Sequence, residues 1–507
     1  MRKYRLKSAL CMLMVSALLL TGCGGSGNNS QSAVPEASEE SKEANVDLEE
    51  TDGKNTTEAE DSAEEENAKE NESLRFAPEW TKDAVIYEVN VRQYTEEGTF
   101  AAFSEHLQEI KDMGINTIWF MPIHPISETN RAGTLGSYYS ITDYKEINPE
   151  FGTKEDFKAV VDKAHEMGFH VMMDWVANHT GWDCPWITEH PDWYTQVNGE
   201  IISPEGMGWP DVADLNYDNV DMRKEMIACM QYWVEEFDID GYRCDYANGV
   251  PKTFWEAARN GLYKIKPVYM LAEDDKALSL LDEAFDVNYN WPLYDTLIAV
   301  AKDSKPAERI QLYIPDKYPE GTYALNFLDN HDKNSYEHTI MEGIGKDAIP
   351  AMFALIYTIP GVPLVYTGDE IGLDHSIEFM EKDPIDWNSS DVSYREVLAA
   401  LGAIRSRNTA LYSGNYGGGI EYYNTGNKNV FCYSREKDGN IVKCVLNLSK
   451  REQTVDVSSI FEGTETVVLH GQGSEVLDTE ERAISEEKLS GEITLNPWEF
   501  WIAIEDR

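Results

Sequence analysis

From Trp80 to about Thr409 the chain alternates short, continuous apolar runs with longer stretches whose apolar residues return at every third or fourth position. Continuous runs suit strands buried on both faces and the three-and-four spacing suits helices with one buried side, so the alternation predicts a parallel α/β fold. The predicted strands are Val85–Val91, Ile115–Met121, His170–Trp175, Gly241–Arg243, Val268–Ala272, Ala284–Val287, Ala324–Leu328 and Pro363–Tyr366, eight in all, the number that closes a (β/α)8 barrel. Helices are expected over Phe100–Met113, Thr153–Met167, Met222–Phe237, Thr253–Lys264 and Ser393–Arg407. The stretch Thr180–Val220, rich in Trp, Pro, Gly and Asp, breaks the rhythm and reads as an excursion after the third strand. Beyond Thr409 short alternating segments take over, at Ile420–Tyr423, Val430–Ser434, Ile441–Leu448, Thr454–Val457 and Phe500–Ile504, and predict a compact antiparallel β-domain. No segment recurs at a period of about 20–50 residues, which excludes a solenoid.

Length and composition fit this division. A chain of 507 residues, 42% hydrophobic, can fill one large core and a smaller one. The expected boundaries are a barrel over 79–408, its excursion over 179–220, and a β-sandwich domain over 409–507. The net charge of -48 would mislead if spread over the whole chain, because much of it sits between Glu36 and Glu72 among Ser, Asn, Ala and Lys. With almost no aliphatics to bury, that segment reads as a solvated acidic linker over 23–78. No basic cluster points to nucleic acid.

The first residues, Met1-Arg-Lys-Tyr-Arg-Leu-Lys, are cationic, and Ala9–Leu20 is apolar but too short to span a bilayer, so residues 1–22 read as a targeting signal. Its end, Leu19-Leu20-Thr21-Gly22-Cys23-Gly24, resembles a bacterial lipoprotein signal. Cleavage before Cys23 would leave a lipidated N-terminus and tether the chain to the extracytoplasmic side of the cell envelope. An ordinary secretory signal is the alternative, and both export the protein. Five further cysteines, Cys184, Cys229, Cys244, Cys432 and Cys444, are an odd, scattered set that implies no disulfide framework. Cys432 and Cys444 fall on two neighbouring alternating segments, either as one bridge or as two small buried residues.

In such a barrel the informative positions are the polar residues ending each apolar run. They are conspicuously charged here: Asp174-Trp-Val-Ala-Asn178-His179 ends the third, Gly241-Tyr-Arg243-Cys-Asp245 the fourth, Met270-Leu-Ala-Glu273 the fifth and Phe327-Leu-Asp329-Asn330-His331-Asp332 the seventh. Gathering so many carboxylates at one mouth is costly unless they are paired or used. In order and spacing these segments resemble the signature regions of glycoside hydrolase family 13, the α-amylase family, from about Trp80 to the C-terminus. The resemblance implies Asp245 as nucleophile, Glu273 as acid and base, and Asp332 as the carboxylate that grips sugar hydroxyls and steadies the distorted ring. It also implies sugar contacts from His179 and His331, an aromatic platform at Tyr139, a bracing Asp174, and a barrel-supporting Glu370. The physics agrees, since retention needs two carboxyls about 5–5.5 Å apart, one ionised and one protonated. Arg243, two residues from Asp245 on the same strand face, would keep Asp245 ionised.

Many relatives hold a structural calcium between barrel and excursion, and Asn178 and Asp214 match two of its ligand positions. The Lys-His pair that commonly follows the nucleophile is replaced by Asn248-Gly249, which removes one expected ligand and one substrate contact. Calcium is therefore an open expectation. Of the excursion tryptophans Trp182, Trp186, Trp193 and Trp209, Trp209 is expected to line the cleft and the others to pack. The expected substrate is an α-1,4-glucan or maltodextrin, hydrolysed at the cell surface by a monomer. The alternatives are an α-1,6-acting or transglycosylating relative (oligo-1,6-glucosidase, cyclomaltodextrinase, trehalose synthase) and a catalytically silent glycan-binding lipoprotein. The last would have lost the carboxylates that are present here.

Overall fold

The computed structural model describes residues 77–314, 318–461, 465–480, 482–483 and 491–506; the signal, Cys23 and the acidic linker lie outside the described residues. Eight parallel strands close a barrel in sequence order: β1 Ile86–Val89, β2 Thr117–Phe120, β3 His170–Trp175, β4 Gly241–Cys244, β5 Tyr269–Ala272, β6 Val287–Tyr289, β7 Tyr323–Phe327 and β8 Val362–Tyr366. Every predicted strand is found, with ends shifted by a few residues. Alternate side chains face inward, and Trp119, Met172, Tyr269, Leu271, Tyr289, Leu325, Phe327 and Leu364 join one buried cluster.

The helix expected over Phe100–Met113 is two pieces, Phe100–Ser104 and Leu107–Asp112. Its apolar face still runs through the break, since Phe100, Phe103, Leu107 and Ile110 are all buried. Two of the longer helices escape the sequence pattern, Trp291–Ala301 and Ile349–Thr358. All ten residues of the second are buried, so it is apolar all round and offers no three-and-four spacing to detect. The excursion after β3 is held by two small antiparallel pairs, His179–Gly181 with Val212–Asp214 and Gln196–Val197 with Glu200–Ile201.

The C-terminal domain is an antiparallel sheet whose main strands are β9 Gly419–Tyr422, β10 Val430–Lys437, β11 Asn440–Asn447, β12 Thr466–Gln472, β13 Val476–Asp478 and β14 Glu499–Asp506. A separate pair, Gln453–Asp456 with Glu492–Leu495, covers one face. β12, β13 and Glu492–Leu495 were not legible as alternation because most of their residues are only partly buried. The two cysteines do not form a bridge: Cys432 lies opposite Val445 and Tyr433 opposite Cys444. That offset of one residue sends the thiols to opposite faces of the sheet, into different buried clusters.

Two buried arginines with no carboxylate partner among the described residues join barrel and β-domain. Arg405 donates to the carbonyls of Ala84, Tyr357, Leu411 and Gly361 and to Ser413 Oγ, and Arg435 donates to those of Gly418, Thr358, Ile359, Leu411 and Tyr412. Burial lowers their pKa values to about 10 and about 9, so both stay charged at neutral pH. Arg405→Leu orphans these acceptors and is expected to cost about 3–5 kcal/mol in denaturant unfolding. A loss below about 1 kcal/mol would mean that water replaces the guanidinium.

Candidate active site

The strand ladder continues just past the strand ends, through Asp245 N to Trp175 O at 2.9 Å and Glu273 N to Cys244 O at 3.0 Å. Both acids are therefore presented at the rim from fixed backbone. At their centre is Arg243, wholly buried beneath the mouth. Its Nη1 donates to Asp174 Oδ1 at 3.0 Å and to Asp245 Oδ1 at 2.9 Å. Nη2 lies 2.9 Å from Glu273 Oε2, an ion contact without hydrogen-bond alignment. Nε donates to Tyr289 Oη at 3.3 Å. One guanidinium thus spans the carboxyls of three successive strands, with rings of Trp119, Tyr139 and Tyr289 about it.

The acids differ in their surroundings. Side-chain exposure rises from 0% at Asp174 through 13% at Asp245 and 20% at Glu273 to 39% at Asp332, which sorts the floor of the site from its open side. Asp174 meets Arg243 and Tyr139, not the cleft, and its placement is that of a brace. Glu273 is pushed up to about 8 by desolvation and by the carboxylates of Asp245 and Asp332, against the pull of Arg243 and of the Tyr246 N–H donated to Oε2 at 2.8 Å. That donor is available because Tyr246 holds a left-handed backbone, φ 41°, directly after Asp245.

Opposite lies a second chain of contacts. His331 Nε2 is 2.9 Å from Tyr139 Oη and 3.4 Å from Asp332 Oδ1, and Tyr139 Oη donates to Asp174 Oδ2 at 3.2 Å. The Tyr139 ring stacks on His331 at 24° and on Phe379 at 11°. Burial alone would lower the His331 pKa, but Asp332 and Glu88 raise it to about 9. His179 is buried beside Trp209, with ring centres 5.6 Å apart, and desolvation lowers its pKa. Trp209 is half-buried and also meets Tyr246 edge-on, whereas Trp186 stacks on Tyr144, Trp193 is buried on His190, and Trp182 donates to Pro210 O at 2.9 Å.

The structure thus brings Asp174, Arg243, Asp245, Glu273, His331, Asp332 and Tyr139 into one connected cluster, with Trp209 meeting both His179 and Tyr246 on its flank. Glu370 sits apart, accepting from Tyr87 Oη at 2.7 Å and Gly368 N at 2.9 Å, a support for the barrel wall. Gly249 explains one departure from the family pattern: a Cβ there would meet the Tyr246 ring at 2.3 Å and Asn178 Oδ1 at 2.7 Å. Sequence reasoning missed Glu88, Tyr289 and Phe379. Glu88 left a signal, a lone acid within the apolar run Val85-Ile-Tyr-Glu-Val. Phe379 left none, since it arrives on an irregular segment after β8.

Paired carboxyls around a buried arginine, at the C-terminal mouth of a closed (β/α)8 barrel, define a glycosidase-type site. Comparison with known proteins agrees. The alpha amylase catalytic domain model matches residues 39–201 and 207–269, and the maltogenic amylase C-terminal domain model matches 420–502. Alpha-amylase MalA of Haloarcula japonica is 27% identical over 419 residues, 77% of this chain, which spans only 59% of that relative's length. The maltogenic alpha-amylase of Bacillus acidopullulyticus is 27% identical over 448 residues, 77% of this chain and 73% of that one. A crystallised maltogenic alpha-amylase of Thermotoga neapolitana superposes with a TM-score of 0.72 at 29% identity, covering 84% of this chain and 99% of the other. The chain carries an alpha-amylase family catalytic domain and a maltogenic amylase C-terminal domain, and its relatives are glycoside hydrolases.

Proposed function

We propose that the protein is a retaining α-glycosidase that hydrolyses α-1,4-glucosidic bonds of maltodextrins, starch or glycogen. Asp245 attacks the anomeric carbon, while Glu273 protonates the departing oxygen and then deprotonates the incoming water. The observation that carries this is the single Arg243 gripping both acids unequally. Asp245 receives an aligned hydrogen bond from the guanidinium, whereas Glu273 has only an unaligned contact and is held up to about 8 by desolvation and its acidic neighbours. One arginine touching both carboxyls suits the close spacing of about 5–5.5 Å that retention requires. Asp332, the most open of the acids, is the carboxylate assigned to sugar hydroxyls, with His331 3.4 Å away and the Tyr139 ring stacked on His331, while His179 serves the same sugar from beside Trp209.

The relatives named cyclomaltodextrinase, such as that of Thermoanaerobacter pseudethanolicus, 25% identical over 443 residues, favour short or cyclic maltodextrins as a second reading. Attachment through Cys23 and work at the cell envelope remain part of the proposal, resting on the N-terminal sequence. A calcium at Asn178 and Asp214 is proposed only as a structural ion. Asp214 pairs with His179 across two short strands beside Asn178, but no cluster of three or more His, Cys, Asp or Glu suited to a metal exists among the described residues.

Incubating the full chain with amylose, pullulan and maltohexaose tests the reading. The expected result is short oligosaccharides from amylose and maltohexaose that retain the α anomer. Products from pullulan alone would move the enzyme to α-1,6 chemistry, and no products from any would end the glycosidase reading. Because Glu273 must begin protonated, kcat/KM is expected to fall as pH rises through about 8. A profile flat to pH 10 would remove Glu273 as the acid.

A further inference from the structure

Glu88 is a wholly buried carboxyl on β1, whose other residues Ile86, Tyr87 and Val89 are also buried. Its backbone is pinned, since Thr367 donates to Glu88 O from both N, at 3.1 Å, and Oγ1, at 2.6 Å. Its Oε1 contacts His331 Nδ1, and Oε2 has no hydrogen-bond partner among the described residues. A buried charge with a single partner is costly, and an amide of the same size would pack as well. The carboxyl is explained if the partner is a cation.

We propose that Glu88 is a positioning residue of the active site, holding His331 as an imidazolium whose Nε2–H is thereby fixed toward Tyr139, Asp332 and the substrate. This rests on the assignment of Asp332 and His331 to the sugar-binding side of a glycosidase. The Glu88 carboxylate can only accept, so Nδ1 donates to it; the single hydroxyl hydrogen of Tyr139 goes to Asp174, so Nε2 must donate as well, and a ring that donates from both nitrogens is the imidazolium. Tyr139 Oη then accepts from His331 and donates to Asp174, which joins Arg243 and so both reacting acids. The groups that bear on His331 are Glu88 on β1, the Trp119 ring on β2, Tyr139 after β2, Asp174 on β3, Arg243 on β4, Asp332 beside it, and Phe379 after β8. Of these only Arg243 opposes the charge, and it is itself paired with Asp174 and Asp245. Sequence alone could not supply this, because β1 and the segment after β7 are 243 positions apart at this contact.

The test is histidine NMR on the full chain labelled with 15N-histidine, with His331→Asn to assign the signal among ten histidines. His331 is expected to be protonated at pH 7.5 and to lose its proton at least about one pH unit lower in Glu88→Gln. A neutral His331 in the unaltered protein overturns the proposal even if the variant does not fold. Kinetics give the second arm: Glu88→Gln is expected to lower kcat/KM about tenfold, and to change it less than about twofold when His331 is already Asn. Equal losses in both backgrounds would make Glu88 merely structural. Should the chain cleave no α-glucan, the NMR arm still reads the Glu88–His331 pair; should cleavage occur while the His331 titration ignores Glu88, only the positioning role falls.

Discussion

Asp245→Asn is expected to lower kcat by at least about 10⁴-fold, the scale on which loss of a covalent nucleophile acts, while leaving the protein folded. The amide is nearly isosteric and can still accept from Arg243 Nη1, the bond at 2.9 Å that fixes the native carboxylate. It cannot form the glycosyl ester, so catalysis is lost at the chemical step and not through binding. Steady-state kinetics on maltohexaose, with circular dichroism to confirm the fold, would check this. A loss below about a hundredfold would mean that the attacking atom lies elsewhere.

Arg243→Met is expected to cost about 3–5 kcal/mol of stability, because removing one partner leaves buried charges uncompensated. Asp174, Asp245 and Glu273 all lose their shared cation, and Asp174, at 0% side-chain exposure, has no access to water in exchange. The loss has a pH signature. Asp174 and Glu273 already bind protons more tightly folded than unfolded, and loss of the guanidinium, which pulls both pKa values down, strengthens this, so the stability they contribute is present at low pH and lost as pH rises. The gap between variant and parent in denaturant midpoint should therefore be wider at pH 7.5 than at pH 5. Arg243→Lys is expected to recover only part, since one ammonium cannot engage Asp245 and Glu273 through separate nitrogens. A pH-independent gap would make the defect one of packing against Trp119 and Tyr289.

The barrel was legible because its strands are apolar on both faces and their ends switch abruptly to Asp, Glu, Arg and His. The same contrast exposed Asp174, Asp245, Glu273 and Asp332 and, through their order, the family. What stayed hidden had no periodic trace. Ile349–Thr358 is buried all round, and Cys432 and Cys444 miss each other by one residue of register, which pairing alone decides. Phe379 reaches the site on an irregular segment, and the replacement at Gly249 makes steric sense only once Tyr246 is seen in its left-handed turn.

The central claim, that Asp245 becomes glycosylated while Glu273 serves as acid and base, is tested most directly by intact mass and peptide mapping of Glu273→Gln mixed with α-maltosyl fluoride. Fluoride departs without an acid, and the missing base slows hydrolysis of the ester, so the intermediate should accumulate. The expected result is a protein heavier by one maltosyl group, mapped to Asp245 and absent when Asp245 is also Asn. Release of β-maltose with no adduct, or an adduct on another residue, would contradict it.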